Sequence, residues 1–131
     1  MVLVGSSVWI DWFNANDTVQ TRKLDELTGS TILLIGDLIL LEVLQGFREQ
    51  RAYDQAHATL RNLEPLDIGG HDVAKQAAKH YRSLREMGIT VCKTIEVLIA
   101  TRCIINRIPL LYSDRDFDPF VEHLGLQNAI T

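Results

Sequence analysis

Residues 1–13 read MVLVGSSVWIDWF, and their order decides the fold. Met1 to Val4 form an unbroken apolar run, the pattern of a short strand buried on both faces. Gly5, Ser6 and Ser7 interrupt it. Val8, Trp9, Ile10, Trp12 and Phe13 then follow in an amphipathic run to about Asn14, with Ser6 or Ser7 available as helix cap. A strand that passes straight into a helix is the opening of a parallel α/β sheet, and its turn lies at the carboxyl edge, where open α/β folds keep their chemistry. The residue at that edge is Gly5, which has no side chain to offer.

The rest of the chain repeats the alternation. Residues 18–28 predict a second helix with Val19, Leu24 and Leu27 inward, and Gly29-Ser30 a turn. Residues 32–35 (ILLI) predict a strand, and Gly36-Asp37 starts a helix with Asp37 as N-cap. A helix over 49–63 follows, with Ala52, Tyr53, Ala56 and Leu60 on one face, then a strand at 65–68. Gly69-Gly70 breaks the chain before a helix at 71–86 that Gly88 ends. A helix at 94–106 closed by Asn106, a strand at 109–112, a turn and short helix at 114–123, and an edge strand at 124–128 complete the pattern. The expected architecture is one domain over 1–131, three-layer α/β/α around a short, mainly parallel sheet. Right-handed crossovers then bring residues 5, 36–37 and 112–114 to one sheet edge.

Composition narrows the class. At 47% hydrophobic over 131 residues, the chain buries a core and is not disordered. No apolar run is long enough to span a membrane, and no basic stretch precedes an apolar one at the N-terminus, so the expectation is a soluble, cytoplasmic protein. Cys92 and Cys103 have no metal-ligand spacing and read as ordinary thiols of a reducing compartment. His57, His71, His80 and His123 read as surface or helix-end residues. A net charge of −4 argues against nonspecific nucleic-acid binding but is compatible with a nuclease whose acids hold metal.

Three acidic features stand in unusual company. Glu42 interrupts DLILLEVLQGF (37–47) and Glu96 interrupts TIEVLIATRCII (94–105), two stretches apolar nearly all round, as in buried helices. A buried carboxylate requires a partner or a metal. Singly, each has an ordinary reading: Glu42 reaching Arg48 or the polar edge, Glu96 favouring its helix dipole. The third feature, SDRDFDPF (113–120), alternates Asp114, Asp116 and Asp118 after an apolar strand. Alone it reads as a cap and a solvated turn; it is not a calcium loop, because the required glycine is missing and Pro119 intervenes. Together, oxygen ligands converging on a sheet edge suit Mg²⁺ or Mn²⁺ rather than zinc and would serve phosphoryl chemistry.

With these pieces in order, the chain resembles the PIN-domain ribonucleases, in particular VapC-type toxins of toxin–antitoxin pairs. The resemblance runs through VLVGSSVWIDWF, ILLEVLQGF, GITVCKTIEVLIATRCI and LLYSDRDFDPF and covers essentially the whole length. It implies that Glu42, Glu96, Asp114 and Asp116 are catalytic and metal-holding acids, and that Ser7 supports the site by hydrogen bonding. Glu96 departs slightly, since aspartate is commoner there. The larger departure is Gly5, where the family carries an aspartate in a D-[ST]-[SN] motif. An engineered or selected loss-of-function substitution and a natural degenerate member compete to explain it, and the otherwise intact motif favours a recent or deliberate change; a turn that needs positive φ is a third reading, which leaves the surviving acids unexplained. The resemblance further implies hydrolysis of RNA phosphodiesters with Mg²⁺ or Mn²⁺, a homodimer, and a VapB-like antitoxin through which any DNA contact runs. Lys93, Arg102 and Arg115 neighbour the acids and are candidate phosphate contacts or plain surface charges. Two rival readings are a catalytically dead module that only engages its antitoxin, and a phosphatase-like hydrolase, which would need a nucleophilic aspartate where Gly5 stands.

Overall fold

A computed structural model describes residues 1–130. In chain order it contains β1 (Val2–Val4), α1 (Ser6–Phe13), α2 (Val19–Leu27), β2 (Leu33–Gly36), α3 (Asp37–Gln45), α4 (Gln50–Leu60), β3 (Glu64–Leu66), α5 (His71–Glu86), α6 (Thr94–Asn106), β4 (Leu110–Leu111), a 3₁₀ turn (Arg115–Phe117) and α7 (Asp118–His123). The strands form one parallel sheet in the order β3-β2-β1-β4. Helices pack on it in a three-layer α/β/α arrangement, α1 against α2 and α3, α3 against α4, and α5 against α6. Leu3 and Val4 of the inner strand β1, and Leu110 and Leu111 of its neighbour β4, are fully buried, which is why these two strands carry no polar residue. Among the described residues no helix is long and apolar enough to cross a membrane.

The departures from the sequence pattern are local and have causes. α1 is capped by Gly5, whose backbone is extended at φ −71° and ψ 160° with no side-chain hydrogen bond, so Ser6 and Ser7 are its first helical residues and not its cap. Asp37 likewise begins α3 after Gly36; its Oδ1 accepts the Leu38 amide at 2.9 Å and the Ile68 amide at 3.0 Å, so it ties α3 to the segment that follows β3, which ends at Leu66 and not at residue 68. In α2, Thr18 and Thr21 form a reciprocal capping box that turns Thr21 and Leu24 inward. Val19 consequently lies 60% exposed instead of inward, and Tyr53 on α4 is exposed too. Residues 124–128 form no strand of their own; Gln127 and Ala129 bracket Leu110 through single backbone hydrogen bonds, leaving a lone bridge at Asn128. Trp9 is buried in the core and stacks with Phe13, and Trp12 donates its indole N–H to Asp25 at 3.1 Å.

Two expectations about burial change. α3 is not a buried helix: only Ile39 and Val43 are fully covered, and Leu41 is 54% exposed. His80 is not a surface residue. It is buried between α5 and α6, with Nδ1 2.9 Å from the Thr101 hydroxyl and Nε2 3.1 Å from the Gln76 amide nitrogen. Thr101 already donates to the Val97 carbonyl at 2.7 Å, so its oxygen accepts from Nδ1–H and the ring is the neutral Nδ1 tautomer, with Nε2 accepting from Gln76.

Candidate functional site

The carboxyl ends of β1 and β4 lie side by side, joined where the Gly5 amide donates to the Leu111 carbonyl at 2.8 Å. Past that hydrogen bond a small depression opens. Gly5, Ser6 and Ser7 line it from β1 and α1, Glu42 from α3, Glu96 from α6, and Tyr112, Ser113 and Asp114 from the segment after β4. It is the edge at which a parallel sheet collects residues from separate stretches of chain.

Glu96 and Asp114 from its lining and the neighbouring Asp116 bring oxygens within 4.8 Å of one another. Asp114 is held by its own turn, its Oδ1 accepting the Asp116 amide at 3.0 Å. Glu96 stands in the first turn of α6, where the helix dipole favours a carboxylate. It is only 8% exposed, and its Oε2 is buried without a hydrogen-bond partner; the Ser113 hydroxyl is buried unpartnered too. Burial above all, then a side-chain hydrogen bond with Asp114 that needs the Glu96 proton, and then the charge of Asp114, push Glu96 up to about 8. Asp114 goes the other way, to about 2, because a proton-bearing Glu96 beside it, the Asp116 amide and the Lys93 ammonium all favour its charged form. Three acids gathered around a buried, unsatisfied carboxylate oxygen make a hard donor set of the kind that suits Mg²⁺ or Mn²⁺, so the residues present fit such an ion.

The remaining expected residues take distinct places. Glu42 lines the depression, half-buried, but outside the group of three acids, and it forms no ion pair with Arg48 among the described residues. Ser7 lies exposed at the rim beside Ser6. Lys93 is at the acids, its Nζ 2.9 Å from Asp114 Oδ2 and 3.6 Å from Glu96 Oε1. Arg115 is exposed and lines an adjacent hollow with Tyr112 and Asp118. Arg102 is engaged elsewhere: Nε donates to the Ile68 carbonyl at 3.0 Å and Nη2 to the Gly69 carbonyl at 2.8 Å. Asp118 accepts the Tyr112 hydroxyl at 2.7 Å and so braces the segment after β4.

Gly5 does not sit in a conformation that demands glycine, so a positive-φ turn does not explain it. A Cβ there would meet the Leu111 carbonyl oxygen at 3.3 Å, a tight contact relieved by a shift of a few tenths of an ångström. Sequence reasoning missed Ser113, whose only signal is its position between the last strand and Asp114.

No family model matches the chain. It is 25% identical to the VapC ribonuclease Mb1587 of Mycobacterium bovis and to ribonuclease VapC11 of Mycobacterium tuberculosis, in each case over 131 residues and 98% of both chains. Its fold is shared with VapBC2 from Rickettsia felis bound to a promoter DNA fragment (TM-score 0.74, 17% identity, 98% of this chain and 97% of that one). It is shared as well with a toxin–antitoxin complex from Klebsiella pneumoniae (0.71, 16%, 96% and 95%) and with Mycobacterium tuberculosis VapC20, a sarcin–ricin-loop-cleaving toxin (0.67, 18%, 91% and 94%). In sequence over nearly its whole length, and in fold, this protein is similar to the VapC ribonucleases.

Proposed function

We propose that this protein is the toxin of a VapBC-type toxin–antitoxin pair, a PIN-fold endoribonuclease that hydrolyses RNA phosphodiesters with Mg²⁺ or Mn²⁺ and is weakened in this chain by glycine at position 5. The observation that carries the reading is the buried, partnerless Glu96 oxygen beside Asp114 and Asp116, at the carboxyl edge of a sheet shaped like that of VapC toxins. Glu96, Asp114 and Asp116 would hold the ion, with Glu42 across the depression and Ser7 at its rim. A bound divalent ion supplies an activated water and offsets charge on the phosphoryl oxygens. The chain's own residues set the rest: the Asp116 amide orients Asp114, the apolar wall of Ile99 and Phe117 limits water, and Lys93 and Arg115 are the cations nearest an incoming phosphate. Arg102, committed to backbone carbonyls, serves the scaffold. The partners in this reading are RNA, a second copy of the chain, and an antitoxin of the kind present in the VapBC structures, through which DNA is reached.

Gly5 favours a second reading, in which the fold retains antitoxin binding without catalysis. One experiment separates them: RNA cleavage by the chain and by Gly5→Asp with Mg²⁺ or Mn²⁺, and with EDTA. We expect Gly5→Asp to cleave at least about tenfold faster, the equivalent of one ligand worth roughly 1.4 kcal/mol, and EDTA to abolish cleavage. An inactive chain with an active Gly5→Asp leaves the present chain as the binding module. No metal-dependent cleavage by Gly5→Asp sinks the nuclease reading, and equal cleavage by both removes position 5 from the ligand set.

A further inference from the structure

We infer that Lys93 is a tethered counter-ion of the acid cluster, which a divalent cation must displace before Glu96 and Asp114 can hold it. The inference rests on the metal-dependent reading above. The Lys93 ammonium lies 2.9 Å from Asp114 Oδ2 and 3.6 Å from Glu96 Oε1, so it occupies the space between two of the three acids. It is the one cation within ion-pair distance of these acids among the described residues. Nothing else fixes it there. Its side chain is 61% exposed, against 11% for Glu96 and 22% for Asp114, so it reaches in from solvent instead of packing. Lys93 is also the N-cap residue of α6, where the helix dipole repels a positive charge. The acids hold it against that dipole.

A divalent ion at the same oxygens would bring like charges into contact, and the flexible stem lets the ammonium leave without disturbing the core. The missing carboxylate at position 5 sharpens the effect. With one acid fewer on the β1 side, a single lysine neutralises a larger share of the cluster, so the tethered charge competes better than it would in a site with an aspartate there.

The test is Mn²⁺ titration of the full chain by calorimetry, with the metal-free protein, Lys93→Met and Lys93→Arg. Lys93→Met removes the charge and keeps the stem; it should bind Mn²⁺ about fivefold more tightly than the unsubstituted chain, a factor at the upper end for one exposed charge interaction. Lys93→Arg keeps the charge and should stay close to the unsubstituted chain. The melting temperature should echo this, rising more on Mn²⁺ addition for Lys93→Met than for Lys93→Arg. Equal or weaker Mn²⁺ binding by Lys93→Met overturns the inference and leaves the metal site standing. Absence of Mn²⁺ binding in all three overturns both the inference and the metal-dependent reading.

Discussion

Helices α3 and α6 look alike in sequence, each a long apolar stretch with one glutamate inside it, and the fold treats them in opposite ways. α6 buries Glu96, Val97, Ile99, Ala100, Thr101 and Cys103, because α5 and the 3₁₀ turn cover it and the sheet lies behind. α3 buries Ile39 and Val43 alone; α1 and α4 flank it, and Leu41 is left bare. The two glutamates follow their helices. Glu96 is almost fully withdrawn from water at a helix start, whereas Glu42 is half-buried on a helix with an open side. An apolar circumference therefore states a capacity for burial, and the neighbours decide whether it is used.

The contrast can be broken most forcefully through Glu96. The unfolded chain ionises this carboxyl near 4.5, whereas the fold keeps it protonated up to about 8. Between those values the unfolded state releases a proton that the folded state retains, so metal-free stability should fall as pH rises from 5 to 8. The drop is on the order of 3 kcal/mol, at about 1.36 kcal/mol per pKa unit. Asp114 is shifted downward, so its contribution lies at lower pH, outside this window. Urea unfolding in EDTA should show the decline, and Glu96→Gln should flatten it; an unchanged slope in that variant means the burial of Glu96 is not what costs stability.

Packing supplies the next effect. Ile99→Ala on α6 should cost about 2.5 kcal/mol by the same measurement, while Leu41→Ala on α3 should cost less than about 0.5 kcal/mol. Similar losses at both positions would mean that the open side of α3 is covered in solution. The smallest effect comes from His80, which fastens α5 to α6. Burial lowers its pKa below the ordinary 6.5, so its neutral form favours the fold at higher pH. That contribution should fade as pH falls from 6.5 through the lowered folded value. His80→Gln should remove this acid-side decline without touching the decline that Glu96 produces on the alkaline side. If the acid-side decline persists in His80→Gln, another group and not His80 is its source.

Much of this arrangement was legible in one dimension. The apolar runs at 1–4, 32–35 and 109–112 hold the strands Val2–Val4, Leu33–Gly36 and Leu110–Leu111 because residues covered on both faces have no use for polarity, and the spacing of turns between them leaves room for one helix or more at each crossover. Glu96 stands out in the sequence as a charge inside an apolar helix and Asp114 and Asp116 as acids just after an apolar strand, and the structure sets oxygens of all three within 4.8 Å of one another. What escaped was whatever depends on a partner distant in the chain. Asp37 looks like a helix cap until Ile68 arrives as a donor. Arg102 looks available to phosphate until two carbonyls take its nitrogens. His80 looks exposed on a polar helix until Thr101 on α6 closes over it. Val19 departs from its expected inward position for a local reason, since the capping box of Thr18 and Thr21 sets the rotation of its helix.

The turn at Ile68 and Gly69 is gripped from both sides, its amide by Asp37 and its two carbonyls by Arg102. That grip sets where the chain enters α5 through main-chain atoms, which every sequence possesses. The exposed lysines of α5, Lys75 and Lys79, are thereby released from the duty of positioning their own helix, which the Ile68–Gly69 turn at its entry and His80 on its inner face perform. Substitutions at these two lysines should leave the entry to α5 and its His80 contact with α6 in place.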